Sequence, residues 1–170
     1  LISYRITPVA GMELLTFKTV FVLFDLLTLL IIIKLLLLFK LPGHHALIYG
    51  WSPLVIKEFS NSGHMDTAGI FFLILSIYLL LDRKYLMSAM TLALSFCIKL
   101  YPVVAIPLFL KQIKRSGTGR IRIFLVCFTL SVLVLYLSFV GCWTNLFTGL
   151  LTFSNEWQIN DSFFAVVSRV

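Results

Sequence analysis

Long apolar stretches separated by short polar ones run along most of this chain. Residues 16–39 form the first, which is long enough to cross a hydrocarbon core of about 30 Å as a helix. Further apolar stretches follow at residues 45–60, 67–81 and 121–140, and the long runs lack the period-two alternation of a strand. The pattern therefore predicts an all-α fold, a multi-pass transmembrane helical bundle, with residues 1–170 as a single transmembrane domain.

The stretch between Lys84 and Lys111 has basic residues at both ends, and these determine its predicted path relative to the membrane. It has room for one ordinary span, but a single crossing would place one basic flank on the outer side, where positive residues are disfavoured. Lys99 and the helix-breaking Pro102 lie at its middle. We therefore expect a re-entrant pair of short helices whose turn lies near the outer face. The predicted halves are about residues 85–98 and 103–112.

Composition agrees with a membrane protein. Hydrophobic residues make up 60% of the chain and charged residues 12%, with a mean hydropathy of +1.03, whereas a soluble domain has about 25% charged residues. The net charge of +7 is concentrated in one short loop, which is typical of a cytoplasmic loop and argues against a nucleic-acid partner. The basic residues of that loop are Lys111, Lys114, Arg115, Arg120 and Arg122.

Two further features of the sequence limit the interpretation. Cys97, Cys127 and Cys142 lie far apart without the spacing of metal ligands, so we expect them to be packing residues. The chain starts at Leu1 without an initiator methionine and stops within an apolar run at Val170. We therefore expect it to be a piece of a longer protein.

A polar segment interrupts the apolar pattern at residues 57–66, which is costly at the edge of a bilayer unless its groups bind something. The carboxylate of Asp66 can orient a sugar hydroxyl, act as a base or bind a divalent cation, although nothing in the sequence requires a metal or other cofactor. The imidazole of His64 can donate to a phosphate. We also expect Asp66 to cap the helix that begins at Thr67, and capping alone is the alternative to a functional role. Glu58 either shapes the same site or is a charge at its rim.

Lys99 and Tyr101 lie between apolar residues at the predicted turn of the re-entrant pair. A lone ammonium there favours an anion such as a lipid-linked phosphate, and the alternative is that it extends to the interface. Tyr101 either bonds the same group or anchors the chain at the interface. Asp25, inside the first span, must face protein, and we expect it to bond to a neighbouring helix or to Thr28.

The segment 153–164 mixes aromatic, amide and carboxylate side chains, including Trp157 and Asn160. That mixture suits a sugar ring, which has C–H faces for stacking and hydroxyls for hydrogen bonds. An amphipathic helix lying at the interface uses the same residue types. Both interpretations place this segment on the outer side, together with the 61–66 loop and Lys99.

Five segments in this order resemble bacterial polyprenyl-phosphate-sugar-dependent mannosyltransferases of the GT-C superfamily of integral membrane glycosyltransferases. They are Phe-Asp-Leu-Leu-Thr-Leu (24–29), Trp-Ser-Pro-Leu-Val-Ile-Lys-Glu-Phe (51–59), Gly-His-Met-Asp (63–66), Lys-Leu-Tyr-Pro (99–102) and Glu-Trp-Gln-Ile-Asn (156–160). The resemblance covers nearly the whole chain. It implies a GT-C-like helical enzyme, multi-pass in a bacterial plasma membrane, that moves mannose or another hexose from a polyprenyl-phosphate carrier to a lipid or glycan acceptor on the outer or lumenal face.

The resemblance also implies roles for particular residues. A lysine at the Lys99 position binds the carrier phosphate, and the Gly-His-x-Asp loop lies beside the donor sugar. Members of the family carry a further acidic residue in an outer loop ahead of the first span. That loop is not in this sequence, which leaves open whether this chain holds a catalytic base of its own.

We therefore predict a hexosyltransferase whose catalytic residues are His64 and Asp66. Its substrate-binding residues are predicted to be Lys99, Tyr101, Glu58, Trp157 and Asn160. Two other functions remain open. One is a transporter or lipid-linked-sugar flippase component that uses Asp25 and the broken helix at Lys99 as a path, and the other is a non-catalytic subunit of a membrane assembly.

Overall fold

The computed structural model of the chain describes residues 8–57, 65–115, 117–138, 148 and 151–152. These residues form helices and the turns between them, and no strand occurs among them, which confirms the predicted all-α class. Contacts divide the chain into two compact units, Leu1–Leu133 and Val134–Val170. The first unit holds the elements that follow, up to the last turn of the final helix.

The first helix, α1, runs from Pro8 to Leu38. It ends where Lys40 adopts a left-handed backbone with φ of 56°. The amide of Lys40 donates to the carbonyl of Leu37, and the amide of Leu41 to that of Leu36, at 3.0 and 2.8 Å. This pair of bonds is the Schellman arrangement, which satisfies the last helical carbonyls and turns the chain back.

The second helix, predicted at residues 45–60 with interruptions at Gly50 and Pro53, consists of short pieces in its described part, and residues 58–60 lie outside the described residues. The pieces are a 3-10 turn at Gly43–Ala46, helix α2 at Leu47–Gly50 and helix α3 at Pro53–Val55. Pro53 has no amide hydrogen to donate, and its ring disfavours helical backbone in the residue before it, so Ser52 is extended. The pieces pack on α1 where Gly50 meets Leu29: a Cβ added to Gly50 would lie 3.3 Å from Leu29 Cδ1.

Helices α4 (Asp66–Leu81) and α5 (Tyr85–Ile98) form an antiparallel hairpin held together by small polar side chains. The hydroxyl of Ser76 donates to the Ser88 carbonyl at 2.8 Å, and the Ser88 hydroxyl donates to the Ser76 carbonyl at 2.9 Å. Nearer the other end, Ser95 donates to the carbonyl of Gly69 at 2.7 Å. These bonds require the two backbones to be close, which residues as small as serine and glycine permit.

The hairpin turn repeats the ending of α1. Arg83 is left-handed with φ of 61°, and the amides of Arg83 and Lys84 donate to the carbonyls of Leu80 and Leu79. A second Schellman ending therefore places positive side chains beside the carbonyl end of α4, where they complement the helix dipole.

The predicted break in the next stretch is confirmed. Helix α5 ends at Ile98, Lys99 has extended backbone, a 3-10 turn covers Tyr101–Ala105, and helix α6 covers Ile106–Lys114. The first half matches its predicted bounds, whereas α6 begins later than residue 103. Pro102, at the start of the 3-10 turn, and Pro107, in the first turn of α6, lack amide hydrogens and are therefore tolerated only near the beginning of a helical segment.

Helix α7 (Thr118–Leu137) begins beside the start of α5. The guanidinium of Arg120 lies 5.4 Å from the ring centroid of Tyr85, and the ring of Phe124 lies 5.8 Å from that of Phe109. The short α6–α7 connection therefore lies near the α4–α5 turn, and the chain reverses between Ile98 and the end of α6. A shared apolar core fills the space between these helices and consists of Leu80, Ala89, Leu92, Phe109, Ile113 and Phe124.

Two segments of the described chain are long and apolar enough to cross a membrane. They are Lys18–Leu38 within α1 and the whole of α7, whereas α4 and α5 are apolar but shorter. Large apolar side chains also face outward on the shorter elements, where Ile48 is 79% exposed and Trp51 78%. Length and composition together agree with association with a membrane.

Candidate functional site

The open end of the α4–α5 hairpin, opposite the Asp82-Arg83-Lys84 turn, brings together two of the predicted site residues. Asp66 is the first residue of α4, and Lys99 directly follows α5. Because the two helices are antiparallel, the start of one lies beside the end of the other. The ammonium of Lys99 lies 3.1 Å from Oδ1 of Asp66, so the two residues form an ion pair.

The structure corrects one expectation for Asp66. The helix begins at Asp66 itself, its N-cap residue is Met65, and this cap makes no side-chain hydrogen bond. Asp66 is therefore not the N-cap of a helix starting at Thr67. Its carboxylate lies in the first helical turn, where the positive end of the helix dipole favours a negative charge, and it points to Lys99.

The sequence suggested that Lys99 is a lone ammonium, whereas the structure pairs it with Asp66. Its charge is matched by Asp66, yet its side chain remains 49% exposed. An ammonium has three N–H donors, and one carboxylate oxygen occupies only one of them. Lys99 can therefore bind a further anion without leaving Asp66.

Tyr101 lies at the same end of the hairpin, in the 3-10 turn after Lys99. A Cβ added to Gly69 would lie 3.6 Å from the Tyr101 hydroxyl oxygen, so the phenol packs over that glycine. Burial raises the pKa of Tyr101, and the nearby negative charge of Asp66 raises this pKa further. Tyr101 therefore remains a neutral O–H donor at physiological pH.

Gly69 contributes to the packing at this end of the hairpin, and the sequence reasoning did not identify it. It is buried between the end of α5 and Tyr101, with Ile98 Cγ2 3.4 Å from the position of an added Cβ. A glycine inside an otherwise apolar helix, one turn after Asp66, was the available signal, because glycine there permits another backbone or side chain to approach closely.

The surroundings of this polar group are apolar and exposed. Met65 is 69% exposed, Leu100 is 50% exposed and Val104 is 76% exposed. A site that combines an ammonium, a carboxylate and a phenol with open hydrocarbon surface suits an amphiphilic ligand, one with a charged head and a hydrocarbon tail. We refer to Asp66, Lys99 and Tyr101 as the hairpin-end site.

Four of the predicted site residues lie outside the described residues. They are Glu58, His64, Trp157 and Asn160. In the parts of the chain that the structure describes, no three histidine, cysteine, aspartate or glutamate side chains are grouped as metal ligands.

Asp25 has a partner on a neighbouring element, as the cost of a carboxylate in an apolar helix predicts. The phenol of Tyr49 in α2 donates to Asp25 Oδ1 at 2.7 Å. The hydroxyl of the fully buried Thr28 donates to the carbonyl of Phe24 at 2.8 Å. The first alternative for Asp25 is therefore confirmed, although the sequence did not identify Tyr49 as the partner.

No protein-family model, no curated protein and no solved structure matches this chain.

Proposed function

We propose that this chain belongs to an integral membrane glycosyltransferase that transfers a hexose from a polyprenyl-phosphate carrier to a lipid or glycan acceptor on the outer or lumenal membrane face. The observation that carries the proposal is the ion pair of Lys99 and Asp66 at a break between two short helices, with Tyr101 beside it. This arrangement supplies a cation for the carrier phosphate and a carboxylate for the reacting sugar within one small surface.

In a multi-pass topology, the distribution of basic residues determines on which side of the membrane the hairpin-end site lies. The α4–α5 turn and the α6–α7 connection are basic, and positive residues favour the cytoplasmic side. The hairpin-end site lies at the opposite end of α4 and α5 from that turn. It would then lie at the outer headgroup level, where a polyprenyl chain remains in hydrocarbon while its phosphate reaches Lys99.

The reaction is a displacement at the anomeric carbon. An acceptor hydroxyl, whose proton passes to a carboxylate, forms the new glycosidic bond, and the bond between the anomeric carbon and the phosphate oxygen breaks, so that the phosphate leaves with the electron pair. Lys99 stabilises the negative charge on the leaving phosphate, and the Tyr101 hydroxyl can donate a further hydrogen bond. Asp66 orients the sugar or the acceptor, or accepts the proton of the attacking hydroxyl.

The remaining roles derive from the family resemblance. His64 is proposed as a second donor to the phosphate, Glu58 as a group shaping the site, and Trp157 and Asn160 as the lining of the sugar pocket. The assignment to a bacterial plasma membrane and the choice of mannose as the transferred sugar also rest on the family resemblance. No metal or other cofactor is part of the proposal.

Transport of a lipid-linked sugar is the other function considered. It would need polar groups at mid-depth along a path, and Asp25 is the residue on which it depends. Tyr49 already bonds this carboxylate, and the buried hydroxyls of Ser76, Ser88 and Ser95 bond backbone carbonyls within the hairpin. These groups hold helices together, which favours the transferase proposal.

The test is sugar transfer from a polyprenyl-phosphate donor by the full-length protein in membranes. Lys99→Ala should reduce the rate by a factor on the order of 10² to 10³, the effect of losing one preorganised donor to a developing charge. Lys34→Ala, which removes an exposed lysine of α1, is the matched control and should keep wild-type activity. Equal activity of the Lys99 variant and its control would exclude Lys99 from the mechanism, and no transfer by the wild-type protein from any such donor would exclude the proposed function.

A further inference from the structure

A second charged surface lies at the other end of the hairpin. It is built from three stretches of chain that the fold brings together: residues 82–85, 111–115 and 118–122. The contact between Arg120 and the Tyr85 ring joins the last stretch to the first, and a short connection joins the second to the third. We call this the basic face, and its positive residues are Arg83, Lys84, Lys111, Lys114, Arg115, Arg120 and Arg122.

Within the three stretches that form it, the basic face contains far more positive than negative charge. Its seven basic residues are half of the 14 in the sequence, and Asp82 is the single acidic residue within the three stretches. Asp82 is bonded to Lys84, with 2.8 Å between carboxylate oxygen and ammonium. All seven basic side chains are exposed. The face therefore presents a strong positive potential to its surroundings.

The local helix geometry adds to this charge. Arg120 and Arg122 lie near the N-terminus of α7, the positive end of its dipole, and the first turn of that helix contains no acidic residue. Gly117 and Gly119 leave open space beside the backbone at this end. An external anion would relieve the repulsion that these charges leave unbalanced.

We propose that the basic face binds the headgroups of anionic phospholipids. The helices around it carry exposed apolar side chains, such as Leu86 at 54% and Ile123 at 55%, so the positive charge borders a surface suited to acyl chains. A phospholipid has an anionic headgroup for the basic residues and acyl chains for the apolar side chains beside them. Juxtamembrane clusters of roughly four to eight basic residues are typical of sites that bind anionic lipid. This inference does not depend on the proposed transferase activity.

Native mass spectrometry of the detergent-solubilised protein tests the proposal by titration with phosphatidylglycerol and with phosphatidylcholine of the same acyl chains. Phosphatidylglycerol should bind more tightly by a factor on the order of ten, and the difference should shrink as salt is added. Equal binding of the two lipids by the wild-type protein would overturn the proposal without any variant.

Two double variants assign the effect to the basic face. Arg115→Gln with Arg122→Gln should reduce the preference for phosphatidylglycerol severalfold, whereas Lys18→Gln with Lys34→Gln, which removes the same charge from α1, should leave the preference unchanged. An equal loss in both pairs would mean that net charge, and not this face, causes the preference. Competition by glycerol phosphate as strong as that by the whole lipid would point to a free anion and would also contradict the proposal.

Discussion

The ammonium of Lys99 lies 3.1 Å from the carboxylate of Asp66, although the two residues come from opposite helices of the α4–α5 hairpin. The contact exists because α5 stops at Ile98 and Lys99 turns into extended backbone at the level where α4 begins. The extended backbone of Lys99 sets the direction in which its side chain leaves the end of α5. The break in the helix and the ion pair are thus one structural feature.

This ion pair is expected to contribute little to stability. Its side chains are 49% and 36% exposed, and exposed pairs are typically worth less than about 1 kcal/mol. A double-mutant cycle with Asp66→Asn and Lys99→Gln, followed by unfolding in detergent, should therefore give a coupling energy below about 1 kcal/mol. A coupling of several kcal/mol would identify the pair as a structural bond and would weaken its assignment to substrate.

The pKa of Tyr101 should depend on Asp66. Burial is the larger cause of its raised pKa and the Asp66 charge the smaller, so Asp66→Asn should lower this pKa without returning it fully to the ordinary value near 10. Ultraviolet titration of the phenolate, with Tyr101→Phe subtracted, measures the shift. Because the folded pKa is raised, the protonated form is favoured by folding, and its contribution to stability is lost as pH rises from the unfolded pKa through the folded one. A Tyr101 pKa unaffected by Asp66→Asn would show that the two groups do not interact.

The bond between Tyr49 and Asp25 should matter more for folding than the hairpin-end ion pair. Tyr49→Phe leaves the Asp25 carboxylate without its phenol donor in an apolar environment, which should cost about 1 to 3 kcal/mol. Asp25→Asn keeps an oxygen that accepts from Tyr49 and should cost less. Thermal unfolding of the two variants in the same detergent gives the comparison, and the reverse order would mean that the carboxylate charge itself has another role.

The close packing of α4 against α5 requires small residues at their contact. Ser88 is fully buried and exchanges hydrogen bonds with Ser76, so Ser88→Leu should separate the helices and destabilise the fold by about 1 to 3 kcal/mol or more. Met87→Leu, at a neighbouring position that is 54% exposed, should change stability by less than about 0.5 kcal/mol. Equal stability of the two variants would contradict the described α4–α5 contact.

The sequence predicted the parts of the fold that follow from local chemistry. Pro102 and the isolated Lys99 predicted the break after Ile98, and the basic flanks at Lys84 and Lys111 predicted that the two ends of that stretch lie on the same side. The helix predicted at residues 45–60, with interruptions at Gly50 and Pro53, was a poorer prediction, because the chain forms only separate short helical pieces there. For the candidate site, the sequence placed Asp66 and Lys99 on one side but not in contact.

The contacts that could not be predicted from the sequence depend on the register between the helices. The pairing of Ser76 with Ser88 and the approach of Tyr101 to Gly69 are fixed by how far one helix slides along the other, which no local pattern encodes. For the same reason, Tyr49 could not be identified as the partner of Asp25. The hairpin-end site is a product of this register.

The reversal of the chain between α5 and α6 can be measured directly by cysteine labelling in intact cells. The protein should carry single cysteines at Met65, Arg83 or Lys114 in a background where Cys97, Cys127 and Cys142 are replaced by alanine. A membrane-impermeant maleimide should label position 65 from outside, and positions 83 and 114 only after the membrane is opened. Labelling of positions 83 and 114 from opposite sides would mean that residues 85–114 cross the membrane once, and the hairpin-end site could not be built as described.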